Sequence, residues 1–258
     1  MSEQRFIAFF DLHFGNERRH GKQVELHDPK AFAAMLEFAK DFRPHQIVLG
    51  GDILDCGAVS HHLKGKPRKQ DGLRLLQDFD RAKKDLIGPI QALGATRHIY
   101  HIGNHEAWID QFLDENPGVE GLVEISKGLE LRYPLWKVEE QGAISKVGKL
   151  HFTHGDQIRS SMHPAKWAVD TYERSIRFGH FHRAQLHTKI SALDATDIRT
   201  GMAVPALCRR DPTYGRGTPN QWSLGFIWGY IFPDGSFSDY LTFIVKNRFA
   251  ANGKVYKG

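Results

Sequence analysis

A chain of 258 residues is long enough to bury a full core in one large α/β unit or in two small ones. Hydrophobic residues at 41% and charged residues at 25% exclude a disordered or low-complexity chain, and no apolar run approaches the ~20 residues that a membrane-spanning helix needs. Two cysteines, Cys56 and Cys208, argue against a disulfide framework and a thiolate zinc site, while a formal net charge of +5 suits an anionic substrate without specifying one.

The apolar run 6–10 is too short for the core of a signal peptide and stops at Asp11. It reads as the first strand, and the lack of a secretory signal sets the expectation of a cytoplasmic protein. Asp28-Pro29 reads as an N-cap followed by proline at the first helical position, with Phe32, Met35, Leu36 and Ala39 at helical spacing and Pro44 as the stop. The run 47–49 is the second strand and ends at Gly50-Gly51-Asp52. A polar, basic loop over 56–70 leads into a long helix over about 71–93, with Leu73, Leu76, Ala82 and Leu86 turned inward and Pro89 kinking or shortening it. The third strand is 99–102, and 107–130 reads as one or two helices broken near Pro117-Gly118.

In the second half, 135–153 alternates as a hairpin around Gly148 and ends at His154. A helix over 164–174 precedes the strand 176–178. The β-rich segments 184–191, 198–208, 222–232 and 237–245 follow, the last two joined by an Asp234-Gly235 turn, and the tail past Arg248 is expected to fray. Strands alternating with helices predict a layered α/β architecture. With no linker or repeat, 1–258 reads as a single domain, its later strands forming a second sheet packed on the first.

Metal-seeking side chains fall at five strand ends: Asp11-Leu12-His13, Gly51-Asp52, Gly103-Asn104-His105-Glu106, His154-Gly155-Asp156 and Gly179-His180-Phe181-His182. In open α/β sheets ligands bind at the carboxyl ends of strands, and strand alternation lets Asp11 and His13, or His180 and His182, point the same way. Carboxylate, imidazole and amide donors without thiolate suit Mn, Fe, Zn, Co or Ni better than Ca or Mg. Asp52 is the natural bridge between two ions, because the glycines before it let the backbone turn inward. Two ions ~3.5–4 Å apart lower the pKa of a shared water and hold phosphoryl oxygens, which points to in-line phosphoester hydrolysis by hydroxide.

In order and type these residues resemble the calcineurin-like metallophosphoesterase superfamily, whose pattern is D-x-H, G-D, G-N-H-D/E, H and G-H-x-H. The match runs from Asp11 to His182, about two thirds of the chain. The resemblance implies an αββα sandwich of two mixed sheets flanked by helices. It further implies one divalent transition metal on Asp11, His13 and His182, a second on Asn104, His154 and His180, Asp52 bridging them, His105 as the catalytic histidine and Glu106 orienting it. The arginine that follows G-D-x-x-D in the phosphoprotein-phosphatase branch is Cys56 here, so that branch is not assigned. The expected activity is that of a phosphodiesterase acting on a nucleotide or nucleic acid, and the short spacing from His154 to His180 leaves no room for a large inserted cap. A nucleotide-sugar pyrophosphohydrolase, a phosphomonoesterase or protein phosphatase of the same superfamily, and an inactive metal-bound scaffold remain as alternatives.

Substrate contacts are sought in the loop after Asp52, at His61, His62 and Lys64, with Asp55 shaping the rim and 64–69 forming the densest basic patch. Arg209, Arg210 and Arg216 make a second basic loop, and Trp222 beside it is either a base-stacking platform or core. His98, His101 and His151 read as core histidines and Cys56 as a small buried residue.

Overall fold

The computed structural model describes residues 3–159, 162–212 and 220–258, so Arg216 lies outside the described residues. Four strands run parallel: β1 (Gln4–Phe9), β2 (Gln46–Leu49), β3 (Arg97–His101) and β4 (Trp136–Glu139). A second sheet holds β5 (Ser145–Val147), β6 (Leu150–Thr153), β7 (Ile176–Phe178), β8 (Gln185–Ile190) and β9 (Ile198–Ala203), in the order β8-β9-β7-β6-β5. The chain then returns to the first sheet with β10 (Gly225–Ile231), antiparallel to β1, and β11 (Phe237–Phe243), giving the order β11-β10-β1-β2-β3-β4.

Period-2 alternation divides β1 between two cores. Phe6, Ala8 and Phe10 join Val48 and Ile99 and meet Leu150, Phe152, Met202 and Val204 of the second sheet. Ile7 and Phe9 face the other way, toward Phe32, Met35 and Phe38 of the helix Pro29–Phe42. The helix Pro164–Tyr172 covers the second sheet's other face with Ala165, Ala168 and Val169. The result is a mixed α/β fold of two sheets packed face to face with helices outside. The Asp28 carboxylate caps the first helix by accepting from Lys30 N at 3.1 Å and Ala31 N at 2.9 Å. Among the described residues, no helix is long and apolar enough to cross a membrane.

Four expectations change. The long helix over 71–93 begins only at Leu75, passes through a π turn at Lys83–Ile87 and ends at Gln91. Pro89, unable to donate to the preceding turn, sits just past that π turn. Its buried face is Leu75, Phe79, Ala82 and Leu86, whereas Leu76 is 65% exposed. The segment 135–153 is not one hairpin: β4 leaves to pair with β3, and only β5 and β6 form the hairpin. The last two long strands join the first sheet, not the second. The tail does not fray, because Arg248–Ala251 and Lys254–Lys257 pair and bury Phe249 and Tyr256 against Phe38.

One buried ion pair ties the sheets together. Arg177 on β7, with its side chain 1% exposed, places Nε 2.6 Å and Nη2 2.9 Å from the Asp239 carboxylate on β11. Its Nη1 also donates to the Thr200 carbonyl at 2.7 Å. Removing one partner of a buried pair strands the other charge. Arg177→Met should therefore lower the unfolding free energy in urea by about 3–5 kcal/mol; a loss below about 1 kcal/mol contradicts the tie.

Candidate metal centre

All five donor segments leave the carboxyl ends of parallel strands, but strand alternation is not what aligns their side chains. β1 ends at Phe9, and Asp11 and His13 beyond it both adopt left-handed backbone, as do Asp52, His180 and His182 (φ between 48° and 66°). Non-glycine residues rarely take this region, and each costs on the order of 1–3 kcal/mol. The turns persist because neighbouring strand ends go on hydrogen-bonding past the regular sheet. Asp11 N donates to Gly51 O at 3.1 Å, His13 N to Asp52 O at 2.9 Å and Gly179 N to His154 O at 2.7 Å.

These turns bring the seven expected donors together. Asp52 Oδ2 lies 3.9 Å from His13 Nε2 and 3.4 Å from His154 Nε2. On one side, His182 Nε2 is 3.4 Å from Asp11 Oδ1 and 3.3 Å from His13 Nε2. On the other, Asn104 Oδ1 is 3.1 Å from His154 Nε2 and 2.9 Å from His180 Nδ1. Asp11, His13 and Asp52 form one group whose donor atoms lie within 4.8 Å of one another, and Asp52, His154 and His180 form another. Asp52 belongs to both.

Three glycines of the motifs make this convergence possible by what they lack. A Cβ on Gly103 would collide with the backbone nitrogen and carboxylate of Asp52, and one on Gly179 with the Asp11 carboxylate. At Gly51, where φ is +92°, it would meet the His154 ring. Each glycine thus clears space for a donor on a different segment.

His105 stands at the opening, its side chain 14% exposed. Its backbone nitrogen donates to Asp52 Oδ1 at 2.8 Å. Its ring Nδ1 faces Asp55, 3.0 Å from the carbonyl and 3.2 Å from the carboxylate. The same carboxylate reaches His13 Nδ1 at 3.3 Å. Asp55 is therefore the residue that fixes both rings, a more central place than the rim expected of it. Glu106, expected to orient His105, makes other contacts: its buried carboxylate accepts from the backbone nitrogens of Asp52, Ile53, Leu54 and Gly103 and from the Tyr100 hydroxyl, at 2.7–3.0 Å. It clamps the turn that carries Asp52. Cys208 is a second addition, with Sγ 3.7 Å from His182 Nδ1.

The electrostatics suit cations. Burial opposes the charge on each carboxylate, yet the facing imidazoles outweigh it: Asp52 is held well below the usual carboxylate range, His154 contributing most. Hydrogen bonds from His105 and His13 bring Asp55 down to about 2 against the same burial. Burial alone would lower His105 and His154, but Asp52 leads in raising them, to about 9 and about 10. Asp11, Asp52 and Asp55 thus stay ionised in a buried site and require positive charge close by. Protons on the imidazoles can supply it, and so can divalent cations, for which this nitrogen and oxygen donor set is well suited.

The expected substrate contacts divide. His62 lines a cleft beside His105, and His61 packs edge-on against Trp108 with ring centroids 5.8 Å apart. Lys64 instead pairs with Glu115 at 2.8 Å on the surface. Arg209 pairs with Asp211 at 3.2 Å, and Arg210 contributes a backbone carbonyl to Asn220; neither lines that cleft. Trp222 packs edge-on against the His182 ring at 4.2 Å. His98 stacks on Trp136 at 4.3 Å and His101 bonds Ser145 Oγ at 2.7 Å, both as core histidines, whereas His151, half-buried, reaches the Ser175 carbonyl at 3.3 Å. Burial pushes the Cys56 thiol well up, as befits an inert buried residue.

No family profile matches the chain. The chain is similar to the Gene 54 protein of Mycobacterium phage D29, 25% identical over 257 residues that cover 91% of this chain and 95% of the phage protein. Among solved structures it is similar to a dimetal phosphatase from Danio rerio, with 12% identity and a TM-score of 0.45 over 98% of this chain and 96% of that one.

Gly103→Ala should weaken divalent-metal binding by about tenfold or more in a calorimetric titration, because it displaces Asp52. Gly118→Ala, whose added methyl meets nothing within 4 Å, should bind as the parent does. Equal affinities for the two variants would show that the Gly103 contact does not position a metal ligand.

Proposed function

We propose that this chain is a dinuclear-metal-dependent phosphoester hydrolase of the calcineurin-like metallophosphoesterase superfamily, folded as a single αββα domain over residues 1–258. The observation that carries the reading is the pair of donor groups that share the Asp52 carboxylate. Asp11, His13 and His182 with Asp52 would hold one ion; Asn104, His154 and His180 with Asp52 would hold the other. When bound, such a pair polarises phosphoryl oxygens and makes water acidic enough to supply hydroxide near neutral pH.

The remaining work falls to the chain's own side chains. Asp55 engages Nδ1 of His105 and so fixes the ring's orientation. Nε2 is left on the side of Asp52, 3.9 Å from its carboxylate, where it can give a proton to the departing ester oxygen. Glu106 holds the Asp52 turn from beneath and takes no part in proton transfer. Trp108, with its ring centroid 3.9 Å from that of His105, packs against one side of the imidazole.

The narrower reading is a phosphodiesterase for a nucleotide-sized substrate. Several basic side chains that a long nucleic acid would need are already engaged: Lys64 by Glu115, Arg18 by Asp71, and Arg19 and Arg209 by Asp211. Such pairing removes much of the free positive charge that drives backbone binding.

The test is turnover of bis-p-nitrophenyl phosphate with added Mn²⁺. The parent should hydrolyse it, His105→Ala should lose about 10²–10⁴-fold in kcat while still binding metal, and Asp52→Asn should lose both activity and metal. Near-parental turnover in either variant contradicts the assigned roles. A parent that binds two ions yet hydrolyses no phosphoester would be a scaffold instead.

A further inference from the structure

One cleft opens directly off the donor cluster. It offers about 430 Å³, within the range of small-molecule sites. Asn104 and His105 form the wall it shares with the donors, and Leu26, Leu63, Leu73 and Trp108 supply apolar lining. These four come from three separate stretches: the hairpin Asn16–Arg19 with Lys22–Glu25 that precedes Leu26, the loop after β2, and the helix Trp108–Glu115. The lining is therefore built by the tertiary fold and not by one helix face. Leu26, Leu73 and Trp108 are buried, so the pocket's walls are held by the core behind them.

Arg18 and Lys69 also line the cleft, but the apolar surface of Leu26, Leu63, Leu73 and Trp108 contributes nothing to binding a bare phosphate, which would sit among the polar donors. It gains affinity only from an organic group that displaces its water. The exposed tip of His62 lies edge-on to Trp108 at 5.5 Å, and Lys69, which has no ion-pair partner among the described residues, stands at the same rim.

The geometry points to a subsite for an aromatic or otherwise flat apolar group on the His105 side of the substrate's phosphorus. The substrate is then a small aryl- or base-bearing phosphoester, gripped by its organic part as well as its phosphate. This rests on the phosphoester-hydrolase reading, since it takes the phosphorus to lie at the Asp52 cluster.

The experiment measures calorimetric binding of phenylphosphonate and methylphosphonate, neither of which can be hydrolysed, to the Mn²⁺-loaded protein. Leu63, half-buried on the cleft wall, is changed in two opposite ways: Leu63→Asp makes the wall polar and Leu63→Trp fills the space. The parent should bind the phenyl compound at least about tenfold more tightly and show quenched tryptophan fluorescence, and both variants should lose most of that preference while holding methylphosphonate within about twofold. Equal binding of the two phosphonates by the parent, or a preference untouched in both variants, overturns the subsite. Aryl preference in a protein that hydrolyses no phosphoester upholds the cleft and removes the hydrolase reading. Turnover without aryl preference leaves the hydrolase reading and removes the cleft.

Discussion

The Asp52 carboxylate is the constraint around which the site is arranged. It is 2% exposed, accepts from the His105 backbone, and faces the imidazoles of His13, His105 and His154 at 3.4–3.9 Å. A charge so buried is costly unless positive groups surround it. The fold meets that requirement with imidazoles on both sides of the carboxylate, His13 on one and His154 on the other, with His105 at the opening. Sharing one anion between two donor groups is what distinguishes this cluster from a set of separately satisfied buried residues.

Placing donors that closely needs backbone that ordinary strands do not provide. Five of the clustered donor residues take left-handed conformations, and together they store on the order of 5–15 kcal/mol of local strain. Such strain survives only on a rigid base. Two sheets with interdigitated Phe6, Phe10, Phe152 and Met202, pinned by Arg177 and Asp239, supply that base. Glu106 acts at shorter range: four backbone nitrogens converge on its carboxylate and hold the Asp52 turn in shape. The cleft beside His105 shares Asp55, Asn104 and His105 with the donor cluster.

The segments that the structure brings together around Asp52 are visible in the sequence because each follows an apolar run and carries a glycine or a second polar donor within two residues, in a type and order that resemble a known pattern. The first strands and the first helix are legible for a related reason, from apolar runs such as 6–10 and the Asp28-Pro29 start signal. What escaped was whatever depends on distant partners. Asp55 gave only a spacing from Asp52, with nothing to show that its carboxylate spans His13 and His105. Cys208 sits after β9, in no motif, and reaches His182 only through the sheet order. Adjacency of Glu106 to His105 in sequence says nothing of the backbone nitrogens that its carboxylate faces. Leu76 reads as inward only if Leu73 is counted in the helix; with the helix starting at Leu75, its buried face runs through Leu75, Phe79, Ala82 and Leu86. The tail's Phe249 and Tyr256 looked isolated among polar residues, yet they complete the aromatic cluster on Phe38.

The most direct measurement is the metal content per chain after reconstitution with Mn²⁺ and removal of free ion. A shared Asp52 requires two equivalents in the parent and a collapse of both when Asp52 becomes alanine, with the protein still folded by circular dichroism. One equivalent or none in the parent, or two retained without Asp52, would contradict it.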